Sequence, residues 1–128
     1  MTKLKIKNAL ISLTDKNKIE IVAKKLKELD INIISTGGTA KYLKSHSIDV
    51  IDITEITNFP EILDGRVKSL HPKIFGGILY RRNNENDLKT IDSLKIESID
   101  LVIVNLYKFD EARNCLLYTS DAADEQDR

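Results

Sequence analysis

Four short stretches of this sequence group side chains able to act on a small anionic molecule. Ser35-Thr36-Gly37-Gly38-Thr39 sets hydroxyls on either side of a glycine pair, between an apolar run and a helical pattern. Glycines let backbone approach a ligand closely, and the N–H groups and dipole of a helix start favour an anion such as phosphate. The plainer reading is a strand-to-helix turn capped by Thr36 or Thr39. The pattern is neither a Walker loop nor a dinucleotide fingerprint. Thr14-Asp15-Lys16 follows another apolar run. It offers a hydroxyl, a carboxylate and an ammonium, or simply a helix cap with a solvated lysine. Gly65-Arg66-Val67-Lys68-Ser69-Leu70-His71-Pro72-Lys73 is dense in functional groups. Arg66 suits forked recognition of a phosphate or carboxamide. Lys68 is a base or charge stabiliser if burial lowers its pKa, and otherwise a solvated loop lysine. His71, next to Pro72, reads as a structural hydrogen-bonding residue. Val104-Asn105-Leu106-Tyr107 closes the last apolar run, with Asn105 and Tyr107 reaching the same edge. Asn105 satisfying a turn and Tyr107 packing is the alternative.

These stretches need a scaffold that brings them together. Ala9 to Leu13 reads as a strand, and Ile19, Val22, Leu26 and Leu29 recur at spacings of three and four, as on one helix face. Ile31–Ser35 reads as a second strand, 40–46 as a second helix and 48–53 as a third strand. Two strand–helix–strand units in so short a span imply a parallel sheet with right-handed crossovers. The stretch from Thr54 to Gly77 holds both prolines, and short helices are expected after Pro60 and from Pro72. Leu88, Ile91 and Leu94 mark one more amphipathic helix. The nearly continuous apolar run from Ile99 to Leu106 is expected to be a central strand buried on both faces. In an open α/β sheet ligands collect at the carboxyl ends of the strands, where the Thr14, Thr36 and Asn105 stretches all fall.

Composition bounds the class. The chain has 128 residues, 41% hydrophobic and 31% charged, enough for one domain with a real core. Twenty basic and twenty acidic residues cancel, which removes any whole-chain argument for a nucleic-acid or membrane partner. The first half is rich in lysine, so an anion site is still open to it. A single cysteine, Cys115, makes no internal disulfide, and two distant histidines with it make no zinc site. No run has signal-peptide or membrane-spanning character, so a cytoplasmic location is expected.

Taken in order, Ser12-Leu13-Thr14-Asp15-Lys16, Ser35–Ala40, the block from Asn58 to Pro72, Gly77-Ile78-Leu79 and Asn105-Leu106-Tyr107 carry a resemblance. From about Ala9 to Phe109 the chain resembles the N-terminal inosine-monophosphate (IMP) cyclohydrolase domain of the bifunctional purine-biosynthesis proteins, which also carry an aminoimidazole-carboxamide-ribotide transformylase. The resemblance implies an α/β fold like methylglyoxal synthase, a parallel sheet flanked by helices. It implies dehydrative closure of formylated carboxamide ribotide (FAICAR) to IMP, with no metal and no organic cofactor. It places Thr14, Asp15, Lys16, Thr36, Gly37, Gly38, Thr39, Arg66, Val67, Ser69, Val104 and Asn105 around the nucleotide, and makes Lys68 and Tyr107 catalytic. The partner would be a purine ribonucleotide, with a homodimer for the full-length family protein.

The departures are specific. Lys108 stands where the family has proline after Asn-Leu-Tyr, and Ser69 where threonine is common. The family's later Asp-Ile-Gly-Gly and Ala-Ala-Ala-Lys-Asn segments, which supply a catalytic Asp and Lys, are not found. The chain as given is therefore expected to lack full activity. Residues 1–113 are expected to form the partial domain and 114–128 a foreign or disordered tail, similar to translated sequencing-adapter read-through; a native acidic tail is the other reading. Two relatives of the same fold compete: methylglyoxal synthase, whose Gly-Gly-Asp segment is not found, and a regulatory module binding a nucleotide or phosphate without catalysis.

Overall fold

The computed structural model describes residues 5–63 and 68–105. Strand β1 (Asn8–Ser12) leads to helix α1 (Ile19–Glu28), strand β2 (Asn32–Ser35) and helix α2 (Gly37–Ser45). Strand β3 (Ile51–Asp52) and helices α3 (Ile53–Thr57), α4 (Pro72–Leu79) and α5 (Glu85–Ser93) follow, then strand β4 (Leu101–Val104). The described strands form one parallel sheet in the order β3-β2-β1-β4. The expected α/β architecture, a parallel sheet flanked by helices, is what the chain adopts.

Side-chain alternation along the strands splits the core into two layers. Ala9, Ile11 and Ile33 face one side and pack with Ile19, Ala23 and Leu26 of α1 and Ala40 and Leu43 of α2. Leu10 and Ile34 face the other side, where Ile53, Ile74 and Ile99 cover them. β1 and β2 are buried on both faces, and so are nearly continuous apolar runs.

Several expectations are corrected. The buried stripe of α1 is Ile19, Ala23 and Leu26, while Val22 is 43% and Leu29 59% exposed. Leu29 follows the last helical residue, so helical spacing no longer positions it; the small Ala23 lets the helix sit close to the sheet. Ile31 takes the core place beyond the helix end. The third strand spans only Ile51–Asp52, because Asp52 becomes the N-cap of α3. Its carboxylate accepts from Thr54 N–H at 3.0 Å while Glu55 accepts from Asp52 N–H at 2.9 Å. Pro60 opens no helix over residues 61–63: Ile62 makes an isolated bridge and Leu63 takes a left-handed φ of 56°. The helix at Pro72 does form, with His71 as its N-cap; His71 Nδ1 accepts from Lys73 N–H at 3.0 Å. The structural reading of His71 holds.

β4 lies at the edge of the described sheet, not its centre. Val102 is 41% and Val104 58% exposed, on the α3/α4 side next to Leu10 and Ser12. An apolar run cannot itself tell an edge from a central position. The expected continuation to Leu106 and the expected boundary near residue 113 lie outside the described residues. Among the described residues no helix is long and apolar enough to cross a membrane.

Candidate functional site

The carboxyl ends of β1, β2 and β4 open on a cavity of about 440 Å³. Thr14, Lys16, Thr36, Gly38, Thr39, Lys68, Val104 and Asn105 line it, so residues expected to act together do meet. Ser12 and Leu13 line it too, and went unnoticed as site residues because they read simply as the end of a strand. The register Ser12↔Val104, one step short of Asn105, is what could have signalled them. Among the described residues the lining holds two lysines and no carboxylate. That arrangement favours an anion.

The hydroxyls do two jobs. Thr39, almost fully buried, donates from Oγ1 to the Leu13 carbonyl at 3.2 Å and accepts from Leu13 N–H at 3.1 Å. It ties the first turn of α2 to the end of β1. Thr36 Oγ1 shares a hydrogen bond of 3.0 Å with Ser12 Oγ. Thr36 is the N-cap of α2 yet makes no side-chain cap, because its hydroxyl is turned to Ser12. The capping acceptor comes from elsewhere in the chain: Gly37 N–H donates to Glu61 Oε2 at 2.8 Å. Among the described residues, the N–H groups of Gly38 and Thr39 have no such acceptor. They are the first-turn donors left for a ligand. Glu61 is 24 residues from Gly37 and carried no sequence signal for this contact.

Lys16 curls over this turn. Its Nζ donates to the Leu13 carbonyl at 3.1 Å, and Cε and Nζ lie 3.7 Å from where a Cβ on Gly38 would stand. Asp15 is exposed and is not in the cavity lining; its Oδ1 accepts from Asn17 N–H at 3.0 Å, an Asx turn. Gly37 lines a neighbouring cavity of about 450 Å³ with Lys41, Asn58 and Glu61. Lys68 is half-buried at the main cavity, and Ser69 is half-buried but outside its lining. Arg66, Val67 and Tyr107 lie outside the described residues.

Fold and site together define an α/β domain with an anion-favouring cavity at its strand ends. The MGS-like domain family matches residues 18–127, and the chain belongs to that family. Within it, the chain is homologous to the bifunctional purine biosynthesis protein PurH. It is 59% identical over 109 residues to PurH of Petrotoga mobilis, covering 85% of this chain and 22% of that protein. For PurH of Caldicellulosiruptor saccharolyticus the identity is 58% over 105 residues, covering 82% of this chain and 20% of that protein. For PurH of Elusimicrobium minutum it is 48% over 118 residues, covering 92% and 23%. The crystal structure of ForH superposes with a TM-score of 0.71 at 35% identity, covering 80% of this chain and 54% of that one. The chain spans about a fifth of the length of these curated relatives. Kinship with the purine-biosynthesis proteins and the methylglyoxal synthase-like fold, both expected from the sequence, are borne out.

Proposed function

We propose that the cavity is a purine-ribonucleotide site and that this chain supplies part of an IMP cyclohydrolase centre. The observation that carries the reading is the meeting of Lys16, Lys68 and the unoccupied first-turn N–H groups of α2 at one carboxylate-free lining, among the described residues. In this reading the 5′-phosphate sits on the Gly38–Thr39 turn beneath Lys16, with Thr14 and Thr36 flanking it. Arg66, Val67 and Ser69 belong to the same envelope by the family resemblance. By the same resemblance Lys68 and Tyr107 are the residues that take part in the chemistry.

The reaction is ring closure with loss of water. The carboxamide nitrogen of FAICAR forms a bond to the formyl carbon, and the formyl oxygen takes up negative charge. The attacking carboxamide nitrogen gives up one of its two protons as the formyl oxygen is protonated to a hydroxyl. A second proton then reaches that hydroxyl as the formamido nitrogen loses its own, so water leaves and the C=N bond forms between the formyl carbon and the formamido nitrogen. An ammonium at Lys68 stabilises the oxyanion and moves a proton. Holding both reacting groups in one cavity supplies much of the rest.

The test is calorimetric titration of the 128-residue chain with IMP, beside Lys16→Ala. Loss of one charge-assisted contact is expected to weaken binding by about 1.5–3 kcal/mol, roughly ten- to hundred-fold. Equal affinity for both proteins removes Lys16 from the site, and absence of binding to the unaltered chain overturns the nucleotide reading.

A further inference from the structure

Asn105, the residue after β4, commits both polar atoms of its side chain to the loop between β1 and α1. Its Oδ1 accepts from Thr14 N–H at 2.8 Å, and its Nδ2 donates to the Asp15 carbonyl at 2.8 Å. β4 runs parallel to β1 with Val104 beside Ser12, so Asn105 stands one step along, where β1 gives way to the loop. A short uncharged head holding both a donor and an acceptor is what this peptide pair requires, and the asparagine amide supplies it.

The loop has little else to hold it. Thr14 and Asp15 are exposed, without an apolar anchor. Thr39 grips Leu13 at one end, and the Asx turn of Asp15 onto Asn17 shapes the other. Between them stands Lys16, whose ammonium lies over Gly38. The Lys16 ammonium donates to the Leu13 carbonyl at 3.1 Å and the Thr14 carbonyl at 3.5 Å, so its place depends on how the Thr14–Asp15 segment is held.

We propose that Asn105 is a positioning residue: its amide clamps the Thr14–Asp15 segment, through Thr14 N–H and the Asp15 carbonyl, so that the Lys16 ammonium stands over the first turn of α2 before an anionic ligand arrives. The proposal rests on the nucleotide reading of the cavity. A loop ordered in advance pays less entropy on binding, and that difference appears as affinity. Asn105 also lines the cavity, and each polar atom of its amide has room for a second hydrogen bond, so clamping and ligand contact are told apart by experiment.

The experiment combines amide hydrogen exchange at Thr14, followed by NMR, with IMP titration of the full 128-residue chain. It compares the unaltered chain with Asn105→Ala and Asn105→Asp. In Asn105→Ala the Thr14 amide is expected to exchange about ten-fold faster or more, and IMP affinity to fall about five- to ten-fold, as for a lost hydrogen bond that preorders a site. Asn105→Asp provides a rescue. At neutral pH its carboxylate keeps the acceptor for Thr14 but repels the Asp15 carbonyl. That repulsion disfavours the charged form, so lowering the pH toward about 4.5 begins to protonate it and restore the donor. The affinity of Asn105→Asp, taken relative to the unaltered chain at the same pH, is expected to rise accordingly. Lost affinity with unchanged Thr14 exchange means direct ligand contact and overturns the proposal, as does no change in either quantity. If the unaltered chain binds no IMP, the nucleotide reading fails by itself; faster Thr14 exchange in Asn105→Ala then still supports the clamp, and unchanged exchange overturns it.

Discussion

Asp100 organises more of the backbone than its place before β4 would suggest. Its side chain is 5% exposed. Oδ2 accepts from Lys7 N–H at 2.9 Å, Asn8 N–H at 3.3 Å and Ser98 Oγ at 3.1 Å, and Oδ1 accepts from Arg82 Nη2 at 3.3 Å. Arg82 also donates to the carbonyls of Ile78, Tyr80, Gly77 and Ile99, and its guanidinium lies over the Tyr80 ring. One ion pair thus ties the start of β1, the end of α4 and the entry to β4. Burial works to raise the Asp100 pKa, but the N–H, hydroxyl and guanidinium donors outweigh it and hold the carboxyl below its usual range. Asp100→Ala removes the acceptor shared by Lys7 N–H, Asn8 N–H and Ser98 and takes the counter-charge from a half-buried guanidinium, and is expected to cost about 1–3 kcal/mol, read from urea unfolding. At the cavity, Lys68→Ala in an intact relative is expected to depress turnover by a factor of about 10²–10⁴ while changing IMP affinity less. Turnover is followed by absorbance as FAICAR closes, and normal turnover would remove Lys68 from the mechanism.

The glycines of the helices serve different purposes, and substitution separates them. A Cβ on Gly77 of α4 would run into the Glu97 carbonyl and lie 3.2 Å from Ile99 Cγ1. Close packing of α4 against the approach to β4 is the reason for that glycine; Gly77→Ala is expected to destabilise by about 1–3 kcal/mol in thermal or urea unfolding. Gly38 of α2 differs: a Cβ there meets only Lys16, at an ordinary 3.7 Å. In a helical position that alanine can adopt, Gly38→Ala is expected to stabilise the fold by about 0.4–1 kcal/mol through the unfolded chain. It should also weaken IMP binding, because the new methyl intrudes between Lys16 and the first-turn N–H groups. A rise in Tm together with a loss of calorimetric affinity checks both halves. Unchanged affinity would say that the ligand does not approach Gly38.

At the scale of the whole molecule, several carboxylates share one pH dependence. Hydrogen bonds and charge from Arg81 bring Asp87 down to about 2, the Tyr42 hydroxyl lowers Glu20, and Asp100 is lowered as described. A group whose folded pKa is depressed stabilises fully above its unfolded value and loses that contribution as pH falls through the folded one. Stability is therefore expected to hold from neutral pH down to about 4 and to fall between about pH 4 and 2. Tyr42, raised chiefly by its bond to Glu20, has the opposite sign: its contribution is lost at alkaline pH as the phenol ionises. Denaturation midpoints measured across pH check both limbs, and a midpoint rising steadily from pH 4 to pH 2 would contradict the acid one.

What the sequence by itself determined is what local pattern and chain order control. Strand and helix alternation from Asn8 to Ser45 forced a parallel sheet, and that topology alone carried Thr14, Thr36 and Asn105 to one edge. Pro72 after His71 marked a helix start because proline fits the first turn and the imidazole reaches the N–H it leaves open. Tertiary structure decided everything that depends on which distant residue arrives. Whether Val102 is central or at an edge depends on neighbours that an apolar run does not name. Ala23, not Val22, faces the sheet because seating a helix depends on the surface beneath it as well as on its own periodicity. Glu61 capping Gly37, Arg82 on Asp100, and Asn105 on Thr14 N–H and the Asp15 carbonyl are hydrogen bonds between residues far apart in the chain. Hydrogen bonding is short-ranged and directional, so only the folded backbone settles which donors and acceptors come within reach.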